Sequence, residues 1–420
     1  MININTDLLL ERFLRYVRVE TTANPTVDTY PSSPGQIELG RMLASELEEM
    51  GATAVEQDKH GLVWATIPSS DSAVRCPTIL LNAHMDTSPD APGKDVKPQV
   101  VEDYEGGDIP LKTGGRVITQ ADCPALANLL GHTLITTDGS TLLGGDDKAG
   151  VAIIMQTAEH LLRNPQLEHG EIRILFTCDE EIGRGANHID LTKAAADAAY
   201  TLDGGGECIV EDENFSADHL VMTCAGINIH PSIGKGRMVN ALRAVAFVLS
   251  ALPEDNLSPE TTDGMQGFVH PYLTNGTVES TRVEFLLRDF ETSQLDAHET
   301  LLKSLAAEAE TKYAGVKFEF ERTKQYRNMG DALRSAPHIV QHAIAAHKQL
   351  GKTANRGSIR GGTDGALFSE MGLPTPNLSS GQHNLHSVTE FASLDQMTYA
   401  AEHLVALLQI WHRSSKDAAQ

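Results

Sequence analysis

The stretch Thr78-Ile79-Leu80-Leu81-Asn82-Ala83-His84-Met85-Asp86 reads as a short apolar strand running straight into a histidine and an aspartate. Three more runs have the same form. Residues 172–177 lead into Cys178-Asp179-Glu180-Glu181-Ile182-Gly183, residues 198–202 into Asp203-Gly204-Gly205-Gly206, and residues 375–378 through a glycine turn into His383-Asn384-Leu385-His386. Helical stripes stand around them. Leu8, Leu9, Phe13 and Val17, then Leu39, Leu43 and Leu47, then Ile153, Ile154, Ala158 and Leu161 recur at the spacing of an apolar helix face. Strands alternating with helices predict the α/β class, with a mostly parallel sheet covered by helices on both faces.

From about residue 213 the pattern changes. Residues 219–230 are strand-like, 238–252 helical, Val283, Phe285 and Leu287 alternate, 292–313 are helical, and Val316, Phe318 and Phe320 alternate again. The expectation is β-α-β followed by β-α-β, a ferredoxin-like α+β domain inserted into the first. The α/β pattern then resumes, with helices over 337–350 and 363–371 and a last one from Leu394 to about Trp411. A chain of 420 residues exceeds one ordinary core. The simplest division makes 1–212 and 326–420 two segments of one domain, with 213–325 inserted.

Composition narrows the function. The 57 Asp and Glu against 33 Lys and Arg give a net charge of −24, which repels polyphosphate and anionic lipid and argues against nucleic-acid and membrane partners. The longest apolar run, 244–252, is far short of a spanning helix. Asp7, Glu11 and Arg12 interrupt the N-terminal stretch before a signal-peptide apolar region can form, so a cytoplasmic protein is expected. Five scattered cysteines without a CxxC pair fit reduced thiols better than disulfides or a thiolate metal site. The Pro- and Gly-rich stretch 87–115 reads as a loop excursion, with no chemistry assigned to it.

Taken singly, the strand ends have ordinary explanations. His84 can be a hydrogen-bonded structural histidine, Asp146 in Gly144-Gly145-Asp146-Asp147 a helix cap, Glu180 and Glu181 a solvated turn, and Asp203 part of an Asp-Gly turn. Together these explanations weaken, because the carboxyl ends of strands in an open α/β sheet form its ligand crevice. Two imidazoles and three or more carboxylates there suit zinc, manganese or cobalt, and a carboxylate can bridge two ions. Paired ions roughly 3.5–4 Å apart are a recurrent device for hydrolysis.

Longer stretches carry a resemblance. NAHMDTSPDAPGKDVKPQVVEDYEGGDIPL, GHTLITTDGSTLLGGDDKAG, FTCDEEIGRGA, YTLDGGG, MVNA, LLRDF, RGGTDGALFSEMGLPTPNLSSG and NLHS, in order from about residue 80 to 390, resemble the peptidase T family of tripeptide aminopeptidases of bacterial cytoplasm. That family lies within the di-zinc exopeptidases, with aminoacylases and glutamate carboxypeptidase. The resemblance implies two zinc ions, one held by His84 and Asp203, the other by Glu181 and His386, with Asp146 bridging. It implies that Asp86 orients His84 and that Glu180 is the general base. It also implies that the inserted domain closes as a lid, with His230 polarising the scissile carbonyl, while Asn240, Arg288 and Arg360 bind the peptide backbone and terminal carboxylate. The substrates would be short peptides, chiefly tripeptides, cut at the first bond.

Three places depart from the family pattern: the tripeptide Pro231-Ser232-Ile233 after His230, Ser387 after His386, and Gly145 before Asp146. The same metal frame also supports dipeptidases, carboxypeptidases and N-acyl amino-acid deacylases, and a non-catalytic peptide-binding protein is the rival from another class. Two chains could pair through an open lid-strand edge to give a homodimer, which periodicity does not decide. His188, His342 and His347 lack a partner motif and are expected to be solvated, and Cys178 to be a small buried side chain.

Overall fold

The strand Ile79–His84 is buried along its whole length, between parallel neighbours Ile172–Thr177 and Ala198–Gly205. Burial on both faces accounts for a run without polar alternation. A fourth parallel strand, Asn377–His383, follows Ala198–Gly205. Antiparallel strands extend both edges. Val63–Ile67 and Thr53–Gln57 lie beyond Ile172–Thr177, and Phe391–Ser393, Leu134–Thr136 and Gln99–Val101 lie beyond Asn377–His383. The α/β class holds, with a parallel centre. The flanking strands escaped the sequence reading because runs of three to five residues are too short to show a period.

This computed structural model describes residues 2–71 and 73–418, in two compact units. The first takes in the chain up to Asp212, Asp331–Gly357 and the chain from Thr363 onward, and the second is Glu213–Gly330 with Ser358–Gly362. In the first unit helices cover the sheet on both faces. Leu202 places its carbonyl against Gly150 of the helix Gly145–Arg163, while its neighbour Thr201 meets Gly365 of the helix Asp364–Glu370. Both helices thus pack on the strand Ala198–Gly205. The helix Gly145–Arg163 is buried nearly throughout. Arg12 reaches it from Thr6–Tyr16 and satisfies its charge on Gln156 (2.7 Å) and Glu159 (2.8 Å).

Registers set the functional edge. His84 pairs with Thr177 and Asn82 with Thr201, so the residues just past these positions emerge together at the carboxyl end of the sheet. The strand from Asn377 continues through Gly381 (φ +81°) as far as His383, where a glycine turn was expected.

The second unit is a four-stranded antiparallel sheet, in the order Phe268–Gly276, Ser280–Asp289, Ser216–Ala225, Lys317–Tyr326. The helices Ala241–Ala251 and Gln294–Lys312 pack on it, around a core that includes Leu220, Met222, Val245, Phe285 and Leu302. The connection is β-α-β-β-α-β, the split arrangement expected of the inserted region. Its strand Phe268–Gly276 left no sequence signal because it is an edge strand, exposed from Pro271 to Gly276. The first strand ends at Ala225 and not at His230. A side chain on Gly226 would meet the carbonyls of Val239 and Val278 at 2.4 Å, so the chain turns there against other backbone.

One expectation about histidines needs correction. His347 is buried, not solvated, since the helices His338–Gln349 and Leu394–Ala418 pack together around it. Its Nδ1 lies 2.7 Å from the Tyr399 hydroxyl, its ring stacks on His403 at 3.7 Å, and burial lowers its pKa to about 3. His342 is half-buried against Trp411, whereas His188 is exposed and stacks on His60. Cys178 is buried, as expected.

Phe176 in the central strand is fully buried. Phe176→Ala should cost about 3–5 kcal/mol, read as a lower urea midpoint at unchanged slope.

Candidate metal centre

At the carboxyl edge, His84 turns Nε2 toward Asp146 Oδ1 (3.0 Å) and Asp203 Oδ1 (3.7 Å). His386 turns its Nε2 toward Glu181 Oε2 (2.9 Å) and Asp146 Oδ2 (3.2 Å). Asp146 therefore offers one oxygen to each imidazole. His84, Asp146 and Glu181 present ligand atoms within 4.8 Å of one another, and so do His84, Asp147 and Asp203. Asp147 is already engaged: its oxygens accept the N–H groups of His84 (3.2 Å) and Gly150 (3.1 Å). That leaves Asp146 as the carboxylate aimed at both rings.

Local backbone geometry produces this aim. Gly144 takes a left-handed conformation (φ +80°) that a side chain resists, and Asp146 and Asp147, joined by a cis peptide, are not yet helical. Asp86 is fully buried. Its carboxylate accepts the N–H groups of Glu180 and Glu181, both at 3.1 Å, while its carbonyl and Oδ1 lie 3.1 and 3.4 Å from His84 Nδ1. One residue thus holds the first histidine and the turn that carries both glutamates.

The electrostatics are those of a cation site. Burial pushes the Glu181 carboxyl up to about 8 and Asp203 up to about 7, and the Asp146 charge adds to both. Burial also pushes Glu180 well above the usual carboxylate range. Hydrogen bonds to Asp146 and Glu181 raise His386 to about 11. Burial works against the charged form of His84, yet its bonds to Asp146, Asp203 and Asp86 raise it. Asp146 is also buried, but the two imidazoles hold it low. The crowded carboxylates call for positive charge, which divalent ions would supply. Glu181 Oε1 is buried with no hydrogen-bond partner, a ligand atom that a cation would satisfy. The residue set fits a pair of hard or borderline divalent ions.

Several supporting residues went unnoticed in the sequence. The buried Glu390 carboxylate accepts the N–H groups of Leu143 (2.7 Å), Gly144 (2.8 Å) and Asp146 (3.0 Å), and so fixes the turn that aims Asp146. Its signal was available: from residue 371 to 394 it is the only Asp, Glu, Lys or Arg. Asn377 and Gln382 hold Asp203, the first accepting its N–H (2.9 Å) and the second donating to its Oδ1 (3.2 Å). Asp179, in a left-handed conformation (φ +58°), is gripped by Ser32 and Gln36.

The other sequence-derived candidates belong to the second unit. His230 is exposed, with Nδ1 2.7 Å from Ser232 Oγ. Asn240 caps the helix Ala241–Ala251, accepting from Leu242 N–H (3.0 Å) and Arg243 N–H (3.4 Å). Arg288 donates to the carbonyls of Leu287 (3.0 Å) and Asp218 (3.3 Å). Arg360 donates to those of Gly264 and Gln266 (both 2.8 Å) and lies over the Phe215 ring.

Residues 137–410 match the model of peptidase family M20/M25/M40. The chain belongs to that family. It is 42% identical over 408 residues to a peptidase T of Geobacillus thermodenitrificans, spanning 97% of this chain and 99% of that one. It is 44% identical to a peptidase T of Caldanaerobacter subterraneus, spanning 96% and 98%. Among solved structures, aminopeptidase PepT from Bacillus cereus superposes with a TM-score of 0.76 over 97% of this chain and 99% of that one, at 21% identity, which shows the shared fold.

A carboxyl whose pKa is raised by folding keeps its proton after the unfolded chain has lost it, so stability falls as pH rises. Glu181 and Asp203 place that loss between the unfolded range near 4 and about 7–8. His386 has the same sign, being fully stabilising below about 6.5 and losing its contribution toward 11. Asp146 acts oppositely, but only below about pH 4. Chelator-treated protein should therefore melt at a lower temperature at pH 8 than at pH 5. Zinc-saturated protein should show the reverse, because ligation needs deprotonated carboxylates.

Proposed function

We propose that this peptidase-family hydrolase is a zinc-dependent aminopeptidase that removes the N-terminal residue from tripeptides in the cytoplasm. One observation carries the reading: a single carboxylate, Asp146, faces two imidazoles from opposite ends of the chain, beside a turn bearing paired glutamates. The full-length relatives named peptidase T support the substrate class. The net charge of −24 supports a protein without nucleic-acid or membrane partners. Among the described residues, no helix is long and apolar enough to cross a membrane.

In this reading His84 and Asp203 would hold one ion, Glu181 and His386 the other, and Asp146 both, with manganese or cobalt acceptable to the same residues. When bound, such an ion pair supplies Lewis acidity that makes water a nucleophile near neutral pH. Glu180 takes the proton of the attacking water as the new C–O bond forms, and returns it to the leaving nitrogen as the C–N bond breaks. Its position follows from the N–H bond to Asp86. Asp86 also keeps the Nδ1 proton of His84 in place, so Nε2 faces Asp146 and Asp203. The same reading gives His230 the scissile carbonyl oxygen, and Asn240, Arg288 and Arg360 the peptide backbone and terminal carboxylate. The planar fork of arginine suits that last task.

Glu180→Gln should lower kcat on trialanine by roughly 10²–10⁴-fold while leaving bound zinc unchanged. Alanine release from trialanine should exceed that from dialanine and tetra-alanine, and N-acetyl-trialanine should resist. Faster cleavage of the acetylated peptide would assign the site to deacylation instead.

A further inference from the structure

The stretch 87–115 contributes a residue to this centre. His386 is half exposed, and its outward nitrogen Nδ1 lies 3.2 Å from Asp90 Oδ2. Its inward nitrogen Nε2 faces Glu181 and Asp146. The other imidazole has the same arrangement, with Nδ1 of His84 on Asp86 and Nε2 on Asp146 and Asp203. Asp86 lies two residues from its histidine, whereas Asp90 lies 296 residues from His386.

The segment carrying Asp90 is pinned at both ends. Ala23 N–H donates to the Thr87 carbonyl (2.9 Å), Thr87 N–H to the Thr21 carbonyl (3.3 Å), and Leu142 N–H to the Pro92 carbonyl (2.9 Å). Thr87 and Ser88 are buried, and the Ser88 hydroxyl accepts the Asp90 N–H at 3.2 Å. The Asp90 side chain is 68% exposed, so the contact itself adds little to stability. An exposed imidazole nevertheless needs an acceptor at one nitrogen if the other is to keep its lone pair for a cation.

We infer that Asp90 is the positioning residue for His386, accepting its Nδ1–H so that Nε2 is presented to the ion shared with Glu181 and Asp146. The inference rests on the proposed di-metal site and adds to it a role for a segment to which the sequence alone assigned no chemistry. Outer-shell partners of this kind typically change metal affinity 10–100-fold, and the exposure of Asp90 places it at the low end, about tenfold.

The test is a Co²⁺ titration of the metal-free full chain against a competing chelator, with proton NMR of the loaded protein. Wild type should take up two ions and show two exchangeable, hyperfine-shifted imidazole N–H signals. Asp90→Ala, folded as judged by its metal-free melting temperature, should bind one ion about tenfold more weakly, keep the other within twofold, and lose one signal to solvent exchange. Asp90→Asn, which retains an acceptor oxygen, should restore most of both. Unchanged affinities and both signals in Asp90→Ala would overturn the inference, as would equal weakening of both ions. An Asp90→Asn protein indistinguishable from Asp90→Ala would overturn it in favour of a bare charge effect. Wild type that binds fewer than two ions would remove the di-metal reading, and the inference with it.

Discussion

A carboxylate has two oxygens that can serve partners on opposite sides, and the centre of this protein depends on Asp146 doing so. Its Oδ1 faces His84 and its Oδ2 faces His386, residues delivered by the second and the last long strands of the parallel core. The left-handed Gly144, the non-helical start of Gly145–Arg163 and the Glu390 carboxylate on three N–H groups of the turn all serve to hold that one side chain in place. A carboxylate on backbone donors is a directional support, which apolar packing cannot supply.

The same crowding explains why the surroundings are built so rigidly. Buried carboxylates repel one another and resist ionisation, and each must be balanced by a cation, a proton or a hydrogen bond. Asp86, Asp147 and Glu390 are balanced mainly by backbone N–H groups. Asp146, Glu181 and Asp203 are directed instead at imidazole nitrogens. The centre thus separates into carboxylates that fix geometry and carboxylates free to bind an ion. That division, more than the number of acids, distinguishes a metal centre from an acidic surface turn.

Much of the fold was legible because its parallel core strands are continuous apolar runs and its helices carry clear stripes. The edge strand Phe268–Gly276 was not, since its exposed residues and Pro271 conceal the alternation. His347 misled because its burial comes from packing between two helices that are well separated in the chain. At the centre, residues at strand ends announced themselves by position, and the family motifs grouped them. The roles of Glu390, visible only as a lone charge, and of Asp90 were not legible, because their partners lie more than 200 residues away and only the folded chain brings them together. The fold therefore makes visible the supports of the site, where the sequence shows mainly the side chains aimed at its centre.

In the proposed centre Asp146 would be shared between two ions. Crystals grown with zinc and measured at the zinc absorption edge test it most directly. Two anomalous peaks per chain are predicted, one at about 2.0–2.2 Å from His84 Nε2 and an Asp203 oxygen, the other at the same range from His386 Nε2 and a Glu181 oxygen, with one Asp146 oxygen on each. A single peak, or two peaks of which one lies out of reach of Asp146, would contradict it.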